Sequence, residues 1–137
     1  MSLVSYKKRQ VLVVDDDRGI CEIVSRMLVR LGHVPVSVGS GREAVHECRS
    51  GSYDLVLLDV DMPGMSGTEV YSAVRQASAE MPILFMSGYR TEELASSLKN
   101  DSAVGFLSKP FPLADLRSMV SSLPPRPSSQ SASQAAS

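Results

Sequence analysis

Residues 55–67 read Leu-Val-Leu-Leu-Asp-Val-Asp-Met-Pro-Gly-Met-Ser-Gly. Leu55 to Leu58 are apolar without polar alternation, the pattern of a strand covered on both faces, as in a parallel sheet flanked by helices. Asp59 follows at the point where such a strand ends. Asp61-Met62-Pro63-Gly64 then carries turn residues, and Ser66 with Glu69 forms an S-x-x-E capping box ahead of Val70, Ala73 and Val74. The stretch is therefore a strand, an acid at its carboxyl end, a turn and a helix.

The same order recurs on either side. Val11 to Val14 precede Asp15, Asp16 and Asp17, after which Ile20, Ile23, Val24, Met27, Leu28 and Leu31 recur at the spacing of one helix face, with Gly32 as the stop. Val34 to Val38 form a second strand that Pro35 confines to a sheet edge, and Ser40 with Glu43 caps the helix that follows. Ile83 to Met86 lead through Ser87-Gly88 to a helix over about Thr91 to Lys99. Gly105 to Leu107 lead through Ser108-Lys109-Pro110 to a helix that opens at Pro112 and places Leu113, Leu116, Val120 and Leu123 on one stripe. Five such units with right-handed crossovers make an α/β, doubly wound, five-stranded parallel sheet.

The chain has 137 residues, 43% hydrophobic and 21% charged, with a formal net charge of −1. That size suits one domain, and the balance is globular rather than disordered or membrane-embedded. A charge so near zero provides no field for nucleic acid or an anionic membrane, so neither is an expected partner. Cys21 and Cys48 form no C-x-x-C pair, which fits a reducing cytoplasm. No run reaches the roughly 18 apolar residues of a membrane span, and residues 1–10 lack the apolar stretch of a signal peptide. The expected organisation is an N-terminal extension over 1–8, part of which resembles a cloning remnant, a folded unit over 9–123, and a tail or linker over 124–137. That last segment is Ser-, Pro- and Ala-rich with no large apolar side chain, a composition that does not order itself.

In open parallel sheets ligands bind beyond the carboxyl ends of the strands. Asp15, Asp16 and Asp17 stand there after the first strand, Asp59 and Asp61 after the third, Ser87 after the fourth and Lys109 after the fifth. Converging carboxylates repel and stay ionised together when a cation is present. Mg²⁺, with Mn²⁺ as the alternative ion, suits an all-oxygen site of this kind. Lys109 and Ser87 would hold phosphoryl oxygens, and Asp59 would be the nucleophile. Each residue also has an ordinary reading: Asp15 to Asp17 as helix caps, Asp61 as a turn residue, Ser87-Gly88 as a loop start and Lys109 as a surface lysine. Their coincidence, each just past a different strand, favours the chemical reading.

At these positions the sequence resembles the receiver domain of response regulators. The resemblance is carried by Val-Leu-Val-Val-Asp-Asp-Asp at 11–17, Leu-Leu-Asp-Val-Asp-Met-Pro-Gly-Met-Ser-Gly at 57–67, Phe-Met-Ser-Gly at 85–88 and Phe-Leu-Ser-Lys-Pro-Phe at 106–111. It implies a flavodoxin-like strand order of 2-1-3-4-5 and a two-component phosphorelay role. Asp59 would be the phosphoacceptor, with Asp15 and Asp16 as the acidic pair at the metal and Asp61 lending its backbone carbonyl. Ser87 and Phe106 would be the switch residues, Lys109 the lysine that pairs with the phosphoryl group, and the Lys109-Pro110 peptide cis. Asp61 and Tyr89 would tune phosphate lifetime. The implied partners are a histidine kinase or histidine phosphotransfer domain and an output partner reached through the last helix pair and strand. Ser87-Gly88-Tyr89 with Glu92 and Glu93 resembles receivers of hybrid sensor histidine kinases.

Two other readings compete. Leu57 to Asp61 also fits the D-x-D strand of a haloacid-dehalogenase-like phosphatase with Asp61 as general acid, although Pro63 stands where those enzymes carry Thr or Val. A phosphorylation-independent interaction module of the same fold would have shed some of the acids or the lysine. A dinucleotide-binding domain lacks its G-x-G-x-x-G after the first strand.

Overall fold

The computed structural model describes residues 8–88 and 91–124. Residues 1–7 and 125–137, to which most of the terminal extension and tail belong, and Tyr89 lie outside the described residues. The elements alternate without exception: β1 (Gln10–Val14), α1 (Arg18–Arg30), β2 (Val34–Val38), α2 (Gly41–Ser50), β3 (Leu55–Asp59), α3 (Gly67–Ala77), β4 (Ile83–Ser87), α4 (Thr91–Ser97), β5 (Val104–Ser108) and α5 (Leu113–Ser122). The strands form one parallel sheet in the order β2-β1-β3-β4-β5, as expected.

Burial explains the order. Every residue of β3 and β4 is buried, and in β1 only Gln10 is not, so these apolar strands occupy the centre. β2, with Pro35, pairs on one side alone and is half-exposed. Alternate side chains feed two cores. On one face Val11, Val13, Leu55, Leu57, Leu84, Met86 and Leu107 meet Cys21, Val24 and Leu28 of α1 and Leu116 and Val120 of α5. On the other, Leu12, Val14, Val56, Leu58, Ile83 and Phe85 meet Ala44, Val70, Val74 and Leu94 of α2, α3 and α4.

Three local expectations need correction. Ile23 is 59% exposed, not part of the buried face of α1. At 100° per residue the buried stripe centres on Cys21, Val24, Leu28 and Leu31, which leaves Ile23 roughly 120° away from its middle. The helix α4 ends at Ser97, two residues early, where tighter turns take over and the Asp101 N–H donates to the Leu98 carbonyl at 2.9 Å. Pro112 precedes α5 with extended backbone (φ −78°, ψ 164°) rather than occupying its first turn.

The segment that carries the third strand into α3 is tightly held. Gly64 adopts φ +85°, a conformation that L side chains resist. A Cβ on Gly67 would lie 2.9 Å from the Val60 Cα, and the Gly67 N–H donates to the Val60 carbonyl at 3.1 Å. The capping box is complete: Ser66 Oγ accepts from the Glu69 N–H at 3.3 Å and Glu69 Oε1 from the Ser66 N–H at 2.8 Å. In α2 the pattern is altered, since Glu43 reaches back to the Gly39 N–H at 3.0 Å. Both devices fix where α2 and α3 begin after the loops that follow β2 and β3.

Candidate functional site

At that edge the buried strands end in charge. Asp15 is 2% exposed and Asp59 4%. Asp15 Oδ1 accepts from the Asp17 N–H at 3.0 Å, and the Cys21 thiol donates to the Asp15 carbonyl at 3.3 Å. The backbone of Asp61 lies close to the Asp59 carboxylate and favours its charged form. Lys109 closes the constellation from β5, its Nζ donating to Asp15 Oδ2 at 2.8 Å and to Asp59 Oδ1 at 3.0 Å. The Lys109-Pro110 peptide is cis, and the Lys109 N–H donates to the Ser87 carbonyl at 2.7 Å. Asp59 is paired in register with Met86, so Ser87, which is fully buried, lies one residue past Asp59 on the adjoining strand.

Asp15, Asp16 and Asp59 each offer a carboxylate oxygen within 4.8 Å of the others, with Asp16 exposed to solvent. Mg²⁺ ligands stand at about 2.1 Å from the ion, so a small adjustment brings this set into reach of one divalent cation. The charge count agrees, because three carboxylates face one ammonium. Burial pushes the Asp59 carboxyl above its ordinary value, and the Asp15 charge adds to this, while the Lys109 hydrogen bond pulls the other way. For Lys109 burial favours the neutral amine, yet the bonds to Asp15 and Asp59 outweigh it and hold the ammonium above its usual range. The result is a charged lysine beside acids that repel one another, a site electrostatically prepared for a cation and for an anionic group.

The remaining sequence candidates fall into distinct places. Asp17 is a cap: its Oδ1 accepts from the Ile20 N–H at 3.2 Å. The Asp61 side chain is exposed and stands outside the acid cluster found among the described residues. That does not suit the buried general acid of a D-x-D phosphatase. Phe106 is half-buried and stacked on Phe85, with ring centroids 5.5 Å apart and planes at 14°.

Two groups escaped the sequence reading. Cys21 was legible as an ordinary helix residue, but its bond to the Asp15 carbonyl was not. Asp101, Arg75 and Tyr71 form a cluster at the opposite end of the sheet, with Arg75 Nε 2.8 Å from Asp101 Oδ2. Residues 26 positions apart carry no local pattern that pairs them.

A model of the response regulator receiver domain matches residues 11–121. Among curated proteins, the response regulator FleR of Pseudomonas aeruginosa is 33% identical over 111 residues, which cover 81% of this chain and 24% of that protein. The transcriptional regulatory protein TcrA of Mycobacterium tuberculosis is 35% identical over 78% of this chain and 42% of its own length. The chain thus spans between a quarter and a half of these relatives. Among solved structures, chemotaxis protein CheY4 of Vibrio cholerae has a TM-score of 0.79 at 32% identity, covering 86% of this chain and all of that one. Response regulator TrrA of Thermotoga maritima, solved in complex with Mg²⁺ and beryllofluoride, has a TM-score of 0.74 at 32% identity over 84% of this chain and 97% of that one.

Proposed function

This chain belongs to the response regulator receiver domain family of two-component systems, and we propose that Asp59 is its phosphoacceptor. The observation that carries the assignment is the Lys109 ammonium, held 2.8 Å from Asp15 and 3.0 Å from Asp59 in a pocket with more acid than base. One oxygen of Asp59 attacks the phosphorus of a phosphohistidine on a histidine kinase or phosphotransfer domain. An O–P bond forms, the N–P bond breaks and the imidazole leaves with the electron pair. Lys109 then transfers its hydrogen bond from the Asp59 carboxylate to a phosphoryl oxygen, and the Ser87 hydroxyl donates to another.

Asp15, Asp16 and Asp59, with the Asp61 carbonyl, are the groups that would hold Mg²⁺, which would neutralise charge as the phosphoryl group arrives. Phosphorylation replaces the singly charged Asp59 carboxylate with an acyl phosphate of about −2, a net gain of about one negative charge and three acceptor oxygens, and Ser87 with Phe106 transmits it to the surface formed by α4, β5 and α5. Asp61 and Tyr89 remain the residues proposed to set phosphate lifetime. The folded unit is proposed to run over 9–123. The relatives it matches are longer, among them a transcriptional regulatory protein, and the proposed output is a partner or further domain that reads the surface of α4, β5 and α5, with a hybrid histidine kinase as one such setting.

Titration of Mg²⁺ followed by beryllofluoride, read by amide NMR shifts, tests the assignment. Saturable shifts at residues 57–61, 87, 88 and 109 that vanish in Asp59→Asn are expected. Shifts that persist in that variant would move the acceptor elsewhere.

A further inference from the structure

The turn between α4 and β5 is bonded to α3 by groups that the phosphoryl site does not use. The Asp101 carboxylate accepts from Arg75 Nε at 2.8 Å, from Arg75 Nη2 at 3.2 Å, from the Tyr71 hydroxyl and from the Ala103 N–H at 3.0 Å. Arg75 Nη1 also donates to the Met81 carbonyl at 2.6 Å, just ahead of β4, and the guanidinium lies 5.2 Å from the Tyr71 ring centroid. The Arg75 and Asp101 side chains are 14% and 19% exposed. Charged hydrogen bonds this far out of water are costly to open.

Against this, α4 itself is lightly attached. Within it Leu94 is the buried hydrophobic residue, and Leu98, half-buried, follows just past its end. The same cluster continues inward through aromatic rings. Tyr71 lies 6.0 Å from Phe85, and Phe85 stacks on Phe106 at 5.5 Å. The turn that follows α4, linked to it by the Asp101 N–H to the Leu98 carbonyl and the Leu98 N–H to the Leu94 carbonyl, is therefore pinned to α3 and to the base of β4, and Tyr71 of the pin lies beside the Phe85 ring on which Phe106 stacks.

We propose that Tyr71, Arg75 and Asp101 form a fulcrum: they hold the C-terminal end of α4 on α3 in both signalling states, so that α4 responds to phosphorylation by pivoting about Asp101 rather than by sliding. This rests on the reading of Asp59 as phosphoacceptor. When a weakly packed element is displaced, its least costly attachments yield first. Here those are the contacts of α4 with β4 and β5, while the Asp101 bonds persist.

Amide hydrogen exchange, with and without Mg²⁺ and beryllofluoride, tests the fulcrum. In the wild type the analogue should alter exchange across residues 91–97 and leave 98–103 within about twofold of the free protein. In Asp101→Asn, residues 98–103 should exchange about tenfold faster in both states, and the response should spread into them. Tyr71→Phe removes one hydroxyl from the cluster without unpairing Arg75, and should give the same change in smaller measure. An analogue response at 98–103 as large as at 91–97 in the wild type would overturn the fulcrum, as would unchanged exchange there in both variants. A protein in which the analogue leaves even residues 57–61 unaffected fails at the phosphoacceptor reading itself, and the fulcrum falls with it.

Discussion

At the carboxyl end of the sheet Lys109 faces Asp15 and Asp59 with Asp16 close by, while at the amino end Arg75 and the Tyr71 hydroxyl converge on the single carboxylate of Asp101. Both clusters are bound by charge-assisted hydrogen bonds near 2.8 Å. They differ in balance. Burial and the Asp15 charge raise the Asp59 carboxyl despite Lys109. Burial also disfavours the Asp101 carboxylate, but Arg75, then Tyr71 and the Ala103 N–H, more than reverse it and hold that carboxyl below its ordinary value. A cluster that has all its partners serves architecture, and one left with surplus like charge is arranged for a ligand. Loss of a partner should therefore damage the first, and arrival of a cation should stabilise the second.

The largest expected effect is at the balanced end. Arg75→Ala leaves the Asp101 carboxylate buried without its fork and should cost about 2–4 kcal/mol in urea unfolding at pH 7. Because the folded Asp101 carboxyl lies below 3.8, the stability it supplies is complete above that value and is lost as pH falls through the folded pKa. The penalty of the variant should accordingly shrink in acid. An equal loss at all pH values would show that packing, not charge, holds the cluster.

At the surplus end the sign is reversed. Mg²⁺ at ten times its dissociation constant should add about 1.4 kcal/mol to wild-type stability, read as a higher melting temperature. Asp59→Asn should lose most of that gain and, without metal, should be more stable than the wild type, because the fold disfavours ionised Asp59. Lower metal-free stability in Asp59→Asn would mean that the Lys109 pairing outweighs the repulsion, and the contrast between the two clusters would collapse.

Smaller effects bear on the surroundings of each. Gly64→Ala, at φ +85°, should cost about 1 kcal/mol by chemical denaturation and leave the Arg75 cluster's exchange unaltered. Beside the amino end of β1, His33 Nδ1 accepts from the Arg9 N–H at 3.1 Å. Burial, and then the Arg9 charge, lower its pKa below 6.5. A lowered base stabilises the fold fully above its unfolded value, so stability should decline as pH drops from about 6.5 toward the folded pKa. His33→Gln should flatten that part of the wild-type pH profile.

The architecture was legible because it rests on local patterns. Unbroken apolar runs marked β1, β3 and β4 as central, Pro35 placed β2 at an edge, and the Ser66–Glu69 box fixed the start of α3. The acids and Lys109 were legible for a related reason: each stands at a strand end, and parallel strands bring their carboxyl ends together whatever their separation in sequence. Ile23 was misplaced because helical spacing locates a face without showing how wide the neighbouring elements make it. The Asp101 cluster was invisible because it depends on where the end of α3 meets a turn 26 residues later, a matter of tertiary packing alone. Asp17 shows the limit of local pattern, since by composition three consecutive acids look alike; the family resemblance singled out Asp15 and Asp16, and the geometry shows Asp17 as the cap.

The most direct test of Asp59 as phosphoacceptor is intact mass after incubation with acetyl phosphate and Mg²⁺, beside Asp59→Asn and a sample with EDTA. The account predicts a single phosphate adduct, labile to hydroxylamine, in the wild type with metal and none in either control. An adduct that survives in Asp59→Asn, or that forms equally well in EDTA, would contradict it.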